Sequence, residues 1–506
     1  MRLQHFRWAA LRLALLCGVS IACAASGQEA PSPSPVVPEP ADVYPKERNY
    51  RLERVKLIRA KQGALRGARE FENDWAVYLE AVGRLAGLFQ YELYSSPAIQ
   101  EYVTRESTDA DHAMDPLLDS IARLPERYDA KLDADGQRMI DQFLRAGVPG
   151  YFDSLADAKT LVPVLSVEKP EAKQTKAYLG HSRAAARFNL ARMSLARRRG
   201  DDAEFLRAIK HNFAVSRAAG YEASVLAHAL SAAIDCMTLK RVVDEHLAKP
   251  LSPETARGVL KLLDQFPGPD WTLSVQGERL RALEDADWVY QTGRLDVLTG
   301  DGKSVEESAT LALFRAMWVP REVALAEIDA LMTPIAGELD PDPSVARESL
   351  KRAPTLEDRI ARDESYKAKY GVVAIVYPAF ERAKRHEMQR RTLRSGVQTV
   401  LAIELFKAEN HRVPDSIDEL APVFLLDPPV DWFTSLPHKP IRYVKLDPAT
   451  DPLARSFLVY SVGRDGNDDQ GKLDPDNELR GLDGFQRAYE GYDFVINFAR
   501  QLPDRK

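Results

Sequence analysis

Asp465 to Asp476 crowd five aspartates and one lysine into twelve residues, with two glycines among them. Carboxylates so close repel one another, and a hard cation that takes about six to eight oxygen ligands relieves that repulsion. Asp465, Asn467, Asp469 and Asp476 also fall at positions 1, 3, 5 and 12 of a helix-flanked calcium loop. Gln470 stands where such a loop needs glycine, and a strand-like run precedes it where a helix belongs. The helix-flanked loop is therefore disfavoured, and the residues leave open an ion site of another geometry or a solvated acidic turn with no ion.

Elsewhere the spacing offers little chemistry. None of the nine histidines falls in a His-Glu-x-x-His pattern, which would set two zinc ligands and a base on one helix face. There is no Cys-x-x-Cys pair, no Gly-x-Ser-x-Gly elbow and no glycine-rich phosphate loop. Ser166 and Lys169 match Ser-x-x-Lys, a pattern that chance supplies in most long chains. Asp133-Ala134-Asp135-Gly136 starts like a calcium loop but stops there, and a helix cap ahead of Met139 accounts for it.

The elements that must position these residues divide by composition. Residues 1–24 read as an export signal: Arg2, Arg7 and Arg12 precede an uncharged run of 13 residues, Leu13 to Ala25. That run is too short to span a bilayer as a helix and suits a signal-peptide core. Ala22-Cys23-Ala24 places cleavage after Ala24; a lipid on Cys23 is the alternative, and the only route by which this reading gives a membrane attachment. Residues 25–49 form a linker, with six prolines between Pro31 and Pro45. The expected location is periplasmic or extracellular. Of the three cysteines, Cys17 leaves with the signal, and so does Cys23 unless it carries the lipid, so Cys236 has no internal disulfide partner; it reads as a small buried hydrophobe.

Residues 50–370 carry helical periodicity. Trp75, Leu79, Val82, Leu85, Ala86 and Phe89 recur at threes and fours. Phe188 to Leu195, Gly200-Asp201-Asp202 and Phe205 to Phe213 read as helix, turn and helix. This is one weakly tetratricopeptide-like copy, without a sustained period of about 34 residues. Further helices are expected over Tyr221–Leu247 and Ser252–Phe266, the second opened by Ser252 and Pro253. Breaks are expected near 267–270 and 340–354, the latter as a linker or surface loop.

From 371 to the end the character shifts to α+β. A charged helix over Glu381–Glu409 carries the stripe Leu393, Val397, Val400, Leu401, Leu405 and Ala408. Ser416 and Glu419 are spaced as a capping box for a second helix. Strands are expected at Ile441–Val444, Phe457–Tyr460 and Tyr492–Phe498. The order LAIELFKAENHRVP, DSIDELAP, Leu426-Asp427-Pro428, a tyrosine strand and YSVGRDGNDD resembles the globular head of the major pseudopilin of type II secretion systems. The whole chain resembles exported planctomycete-type proteins with a helical region and a pseudopilin-like C-terminal domain. The pseudopilin resemblance covers about residues 378 to 498 and implies a calcium site. It assigns carbonyls to Val462 and Asn467 and carboxylates to Asp465 and Asp493. The family has two acids before the last strand, but Tyr492 precedes Asp493 here. Asp469, or one of Asp468, Asp474 and Asp476, would supply the missing ligand. The family's long unbroken N-terminal apolar helix is absent, which argues against assembly into a pilus.

The 506 residues carry 69 Lys+Arg against 75 Asp+Glu, a balance that excludes nucleic-acid binding through bulk charge. Two function classes stay open. One is an exported, non-enzymatic helical scaffold with a calcium-binding head, working on protein partners in the cell envelope. The other is an exported hydrolase with its active site in the helical region.

Overall fold

The computed structural model describes residues 50–66, 73–95, 130–163, 177–293, 316–352, 356–363, 365–377, 380–426, 429–451, 454–472 and 492–498. The export signal at 1–24, the linker at 25–49, Cys23, and the Ser166 and Lys169 pair lie outside the described residues.

Helices α1 (Tyr50–Arg66), α2 (Trp75–Ser95), α3 (Ala130–Arg145) and α4 (Val148–Asp157) lead into a run of long ones. These are α5 (Ala177–Arg199), α6 (Asp202–Gly220), α7 (Val225–Ala248), α8 (Pro253–Gln265) and α9 (Trp271–Thr292). Their boundaries follow local chemistry. The Asp201 carboxylate accepts the Glu204 N–H at the start of α6, and Ser252 does the same for Thr255 ahead of Pro253. Pro267-Gly268-Pro269 separates α8 from α9, which Asp270 caps by accepting the Leu273 N–H. The seventh helix starts at Val225, later than expected, because Tyr221 to Ser224 turn and Ser224 caps.

The second half holds α10 (Arg321–Met332), a short 3-10 turn (Pro334–Gly337), α11 (Pro343–Arg352), α12 (Leu356–Arg362), α13 (Tyr366–Lys369), α14 (Gly371–Val376) and α15 (Phe380–Asn410). The stretch 340–354, expected as a linker, is thus mostly α11. One of its three prolines misled: Pro343 sits at the first helical position, where proline is welcome, and the Asp342 carboxylate accepts the Ser344 N–H. Asp133 to Gly136, expected as a cap before Met139, lie inside α3 instead.

The core gathers in two large clusters. The first joins α2 to α8 with the C-terminal half of α15 and the sheet; the second joins α9, α10, α14 and the start of α15. Helix α6 lies between α5 and α7, and α15 lies on α7 and α8. The predicted stripe on α15 is buried from Leu393 to Leu405, but Ala408, in the last turn, is exposed. One helix therefore ties both clusters together, and the packing runs across the compositional boundary at 371.

Arginines end several helices from a distance. Arg217 on α6 donates to the carbonyls of Leu155 and Ala158 at the end of α4, at 2.8 and 3.1 Å. Arg197 on α5 reaches Lys249 O at 2.7 Å past α7, and Arg394 on α15 reaches the carbonyls of Leu263 and Phe266 at the end of α8. Each meets carbonyls at or just past a helix end, where the helical ladder runs out of donors.

After α15 the chain forms a 3-10 turn (Ile417–Leu420) with the predicted capping box, but no longer helix, because Pro422 withholds a donor. The sheet is antiparallel in the order β1 (Arg442–Lys445), β2 (Phe457–Ser461), β3 (Phe494–Val495). Arg442 pairs with Tyr460, and Ser461 with Phe494. β3 is shorter than the strand expected over Tyr492–Phe498. All five residues of β2 are buried. Phe457 and Val459 join the core beneath, while Leu458 and Tyr460 pack with Val495 on the other face. Gly396 lets α15 approach the sheet: a Cβ there would lie 2.5 Å from Ile496 Cγ1.

Candidate metal centre

The acidic loop leaves β2 at Ser461 and folds back over the outer sheet face to meet β3. Gly463, at φ +68°, turns the chain toward the entry of β3, and a Cβ on it would lie 3.3 Å from Tyr492 O. Asp465 Oδ1 accepts the Asn467 N–H at 3.0 Å and so shapes its own turn. Asp493 N–H donates to Lys472 O at 2.9 Å, and Gly471 N–H donates to Asp493 Oδ2 at 2.6 Å. The Lys472 ammonium lies 4.7 Å from the centre of the Tyr492 ring.

The carboxylates divide into used and unused. Asp468 is used: Oδ1 accepts from the Tyr460 hydroxyl and Gln470 N–H, and Oδ2 from Arg442 Nε at 2.9 Å. Burial opposes its charge, but those donors hold its carboxyl below the usual range. Asp493 is different. It is only 2% exposed, and its Oδ1 is buried and receives no hydrogen bond. Asp469 Oδ2 shares that condition. Burial, then the neighbouring charges of Asp468 and Asp469, push the Asp493 carboxyl up to about 6, against the N–H groups of Gly471 and Asp469 that favour its charge.

Of the five residues expected at the ion, the fold brings Asp469 and Asp493 together and lays the Val462-Gly463 backbone beside Tyr492. Asp465 and Asn467 sit in the preceding turn, held to each other. Asp474 and Asp476 lie outside the described residues. Among the described residues, no three His, Cys, Asp or Glu side chains converge as a metal cluster. The expected site takes part of its ligands from main-chain carbonyls, so a donor set of two carboxylates and carbonyls is the one to weigh. Two buried carboxylate oxygens without a hydrogen bond, Asp469 Oδ2 and Asp493 Oδ1, together with nearby carbonyls, are hard oxygen donors of the type that calcium takes.

One residue escaped the sequence reading. Asp431, fully buried, accepts from Phe433 N–H at 3.0 Å and the Ser461 hydroxyl at 2.9 Å on Oδ1, and from Val462 N–H at 2.9 Å on Oδ2. Its neighbour Trp432 donates its N–H to Thr392 Oγ1 on α15, at 3.1 Å, and lies under the Arg391 guanidinium at 4.3 Å. Nothing in the local sequence links a position 30 residues upstream to the loop.

The helical part holds two histidine–carboxylate groups. His228 on α7 bridges Ser274 Oγ at 3.0 Å and Glu387 Oε2 at 3.1 Å. The order serine, imidazole, carboxylate is that of a hydrolytic triad, but all three residues are fully buried. The Ser274 hydroxyl donates to Asp270 O. Glu387 also accepts from Arg390 at 2.7 and 2.8 Å and from Arg391 at 2.6 Å, so this geometry is a strut between α7, α9 and α15. His211 on α6, fully buried, contacts Asp153 at 2.7 Å and Arg192 at 2.9 Å. Burial, then Arg192, press its imidazole down to about 3, which keeps it neutral at any ordinary pH. Cys236 is half-buried on α7, and burial pushes its thiol up, away from the reactive thiolate.

No family model matches the chain, and neither a curated protein nor a solved structure matches it. Among the described residues, no helix is long and apolar enough to cross a membrane.

Proposed function

We propose that this chain is an exported, non-enzymatic interaction protein: a helical scaffold, in part tetratricopeptide-like, that carries a calcium-stabilised, pseudopilin-like head. Its partners are other proteins of the cell envelope. The observation that supports the ion is the pair of carboxylate oxygens, Asp469 Oδ2 and Asp493 Oδ1, buried without a hydrogen bond. Asp469 and Asp493 would hold the ion by their side chains, Val462 and Asn467 by their carbonyls, and Asp465 from the adjoining turn. Calcium there is structural: it neutralises carboxylates that repel and cross-links the loop to the entry of β3. The role as a scaffold is supported by the burial of the histidine groups, which leaves the helical part's best nucleophile geometry without access to solvent.

The test is a calcium titration of the chelator-stripped full chain, followed by thermal unfolding. Stability should rise with free calcium, by about 2.7 kcal/mol at a hundred times the dissociation constant. Extracellular modules often bind at about 0.1–1 mM, so the titration must reach that range. Asp469→Ala should lose most of the response, and Asp418→Ala, on the exposed 3-10 turn, should keep it. Magnesium should substitute poorly, since it sheds water reluctantly. A melting temperature indifferent to millimolar calcium and to chelator would reduce the loop to a solvated turn.

A further inference from the structure

The ladder between β2 and β3 ends at Ser461 and Phe494. Beyond it, the backbone of Val462 and Gly463 has no strand partner to set its direction. One carboxylate does so instead. Asp431 Oδ2 takes the Val462 N–H, and Oδ1 takes the Ser461 hydroxyl, whose oxygen in turn accepts the Gly463 N–H at 3.1 Å. The peptide between Val462 and Gly463 is planar and trans, so its carbonyl points opposite to its N–H. Fixing the Gly463 N–H on Ser461 Oγ therefore fixes where the Val462 carbonyl aims. The base of this device is rigid, because Trp432 N–H is tied to Thr392 on α15 and Thr434 Oγ1 donates to Asp431 O at 2.7 Å.

We propose that Asp431 is the positioning residue of the ion site: it binds no ion itself but, through Ser461 and the Val462 and Gly463 amides, aims the Val462 carbonyl at the cation. The proposal rests on the calcium reading of the loop. It adds a supporting group of the kind that orients metal ligands elsewhere, whose loss typically weakens affinity about 10- to 100-fold. It also explains why a carboxylate is buried where all three of its donors are neutral. Asparagine cannot replace it, since one of its two terminal atoms would present a donor to a donor.

Calorimetric titration of calcium chloride into the chelator-stripped full chain decides the matter, with wild type, Asp431→Asn and Ser461→Ala compared. Asp431→Asn should raise the calcium dissociation constant about 10- to 100-fold. Ser461→Ala keeps the bond to Val462 and cuts only the link to Gly463, so its rise should be smaller, at most about tenfold. A purely structural Asp431 would lower the melting point of the calcium-free protein and leave the dissociation constant unchanged, which overturns the proposal while the calcium reading stands. Should Asp431→Asn not fold, an unchanged constant in Ser461→Ala overturns it equally. Wild type that takes up no calcium removes both.

Discussion

Asp493 has one oxygen bonded by the Gly471 N–H and another, Oδ1, buried with no donor. Asparagine can keep its carbonyl toward Gly471 and carries no charge for burial and for Asp468 and Asp469 to oppose. Without calcium, Asp493→Asn should therefore stabilise the protein at neutral pH. A carboxyl held at about 6 instead of 3.8 costs at most about 3 kcal/mol when ionised, and water around the loop lowers this to about 1–3 kcal/mol. The sign depends on pH. Below about 4 the carboxyl is protonated in folded and unfolded chains alike, and the wild type carries no penalty. Between about 4 and 6 the folded state holds the proton more tightly, so wild-type stability falls as pH rises and stays low above 6. Urea unfolding in chelator at pH 4 and pH 7.5 reads this directly: the gain of Asp493→Asn over wild type should be near zero at pH 4 and about 1–3 kcal/mol at pH 7.5. In saturating calcium the order should reverse, because the variant loses a charged ligand. An Asp493→Asn protein less stable than wild type in chelator at pH 7.5 would refute the electrostatic argument.

Two further outcomes follow from the packing. Gly396→Ala gains about 1 kcal/mol of helix propensity but drives a methyl into Ile496, and such overpacking costs about 1–3 kcal/mol. The substitution should destabilise wild type and stabilise an Ile496→Ala background; a double-mutant cycle without that change of sign rejects the close approach. Glu387→Gln should cost about 3 kcal/mol in urea unfolding at pH 7, because it leaves buried Arg390 and half-buried Arg391 without their shared carboxylate. Burial alone would raise that carboxyl, yet the two arginines hold it well below 4.5. Its contribution is therefore present above about pH 4.5 and lost as pH falls further, so the cost of Glu387→Gln should shrink in acid.

Helices were legible where a local signal marked both ends. Ser252 with Pro253, Asp201 after Gly200, and the Pro267-Gly268-Pro269 break all act within a few residues, and α5, α6 and α8 follow from them. The stripe on α15 was legible because burial on one face leaves a periodic trace. Misreadings came from residues whose meaning depends on position: Pro343 opens a helix, whereas a proline one turn later would have broken it. At the acidic loop, charge density marked a segment and not its individual carboxylates. It could not separate Asp468, which Arg442 and Tyr460 occupy, from Asp469, because both partners come from other strands. Asp431 left no trace of its tie to the loop, since two of its three acceptor bonds are made by folding a distant segment onto the end of β2, and the third is a local turn to Phe433.

The arginines that close the ends of α4, α7 and α8 have a consequence for how the chain tolerates change in length. Each guanidinium is fixed on a different helix from the one it terminates, so it works as a gauge block set at a particular carbonyl. One residue inserted into α8 would rotate its end by about 100° and advance it by about 1.5 Å, and the Leu263 and Phe266 carbonyls would swing away from Arg394. The helices can thus exchange side chains far more freely than they can gain or lose residues, and growth of the array is confined to the connections that no arginine measures.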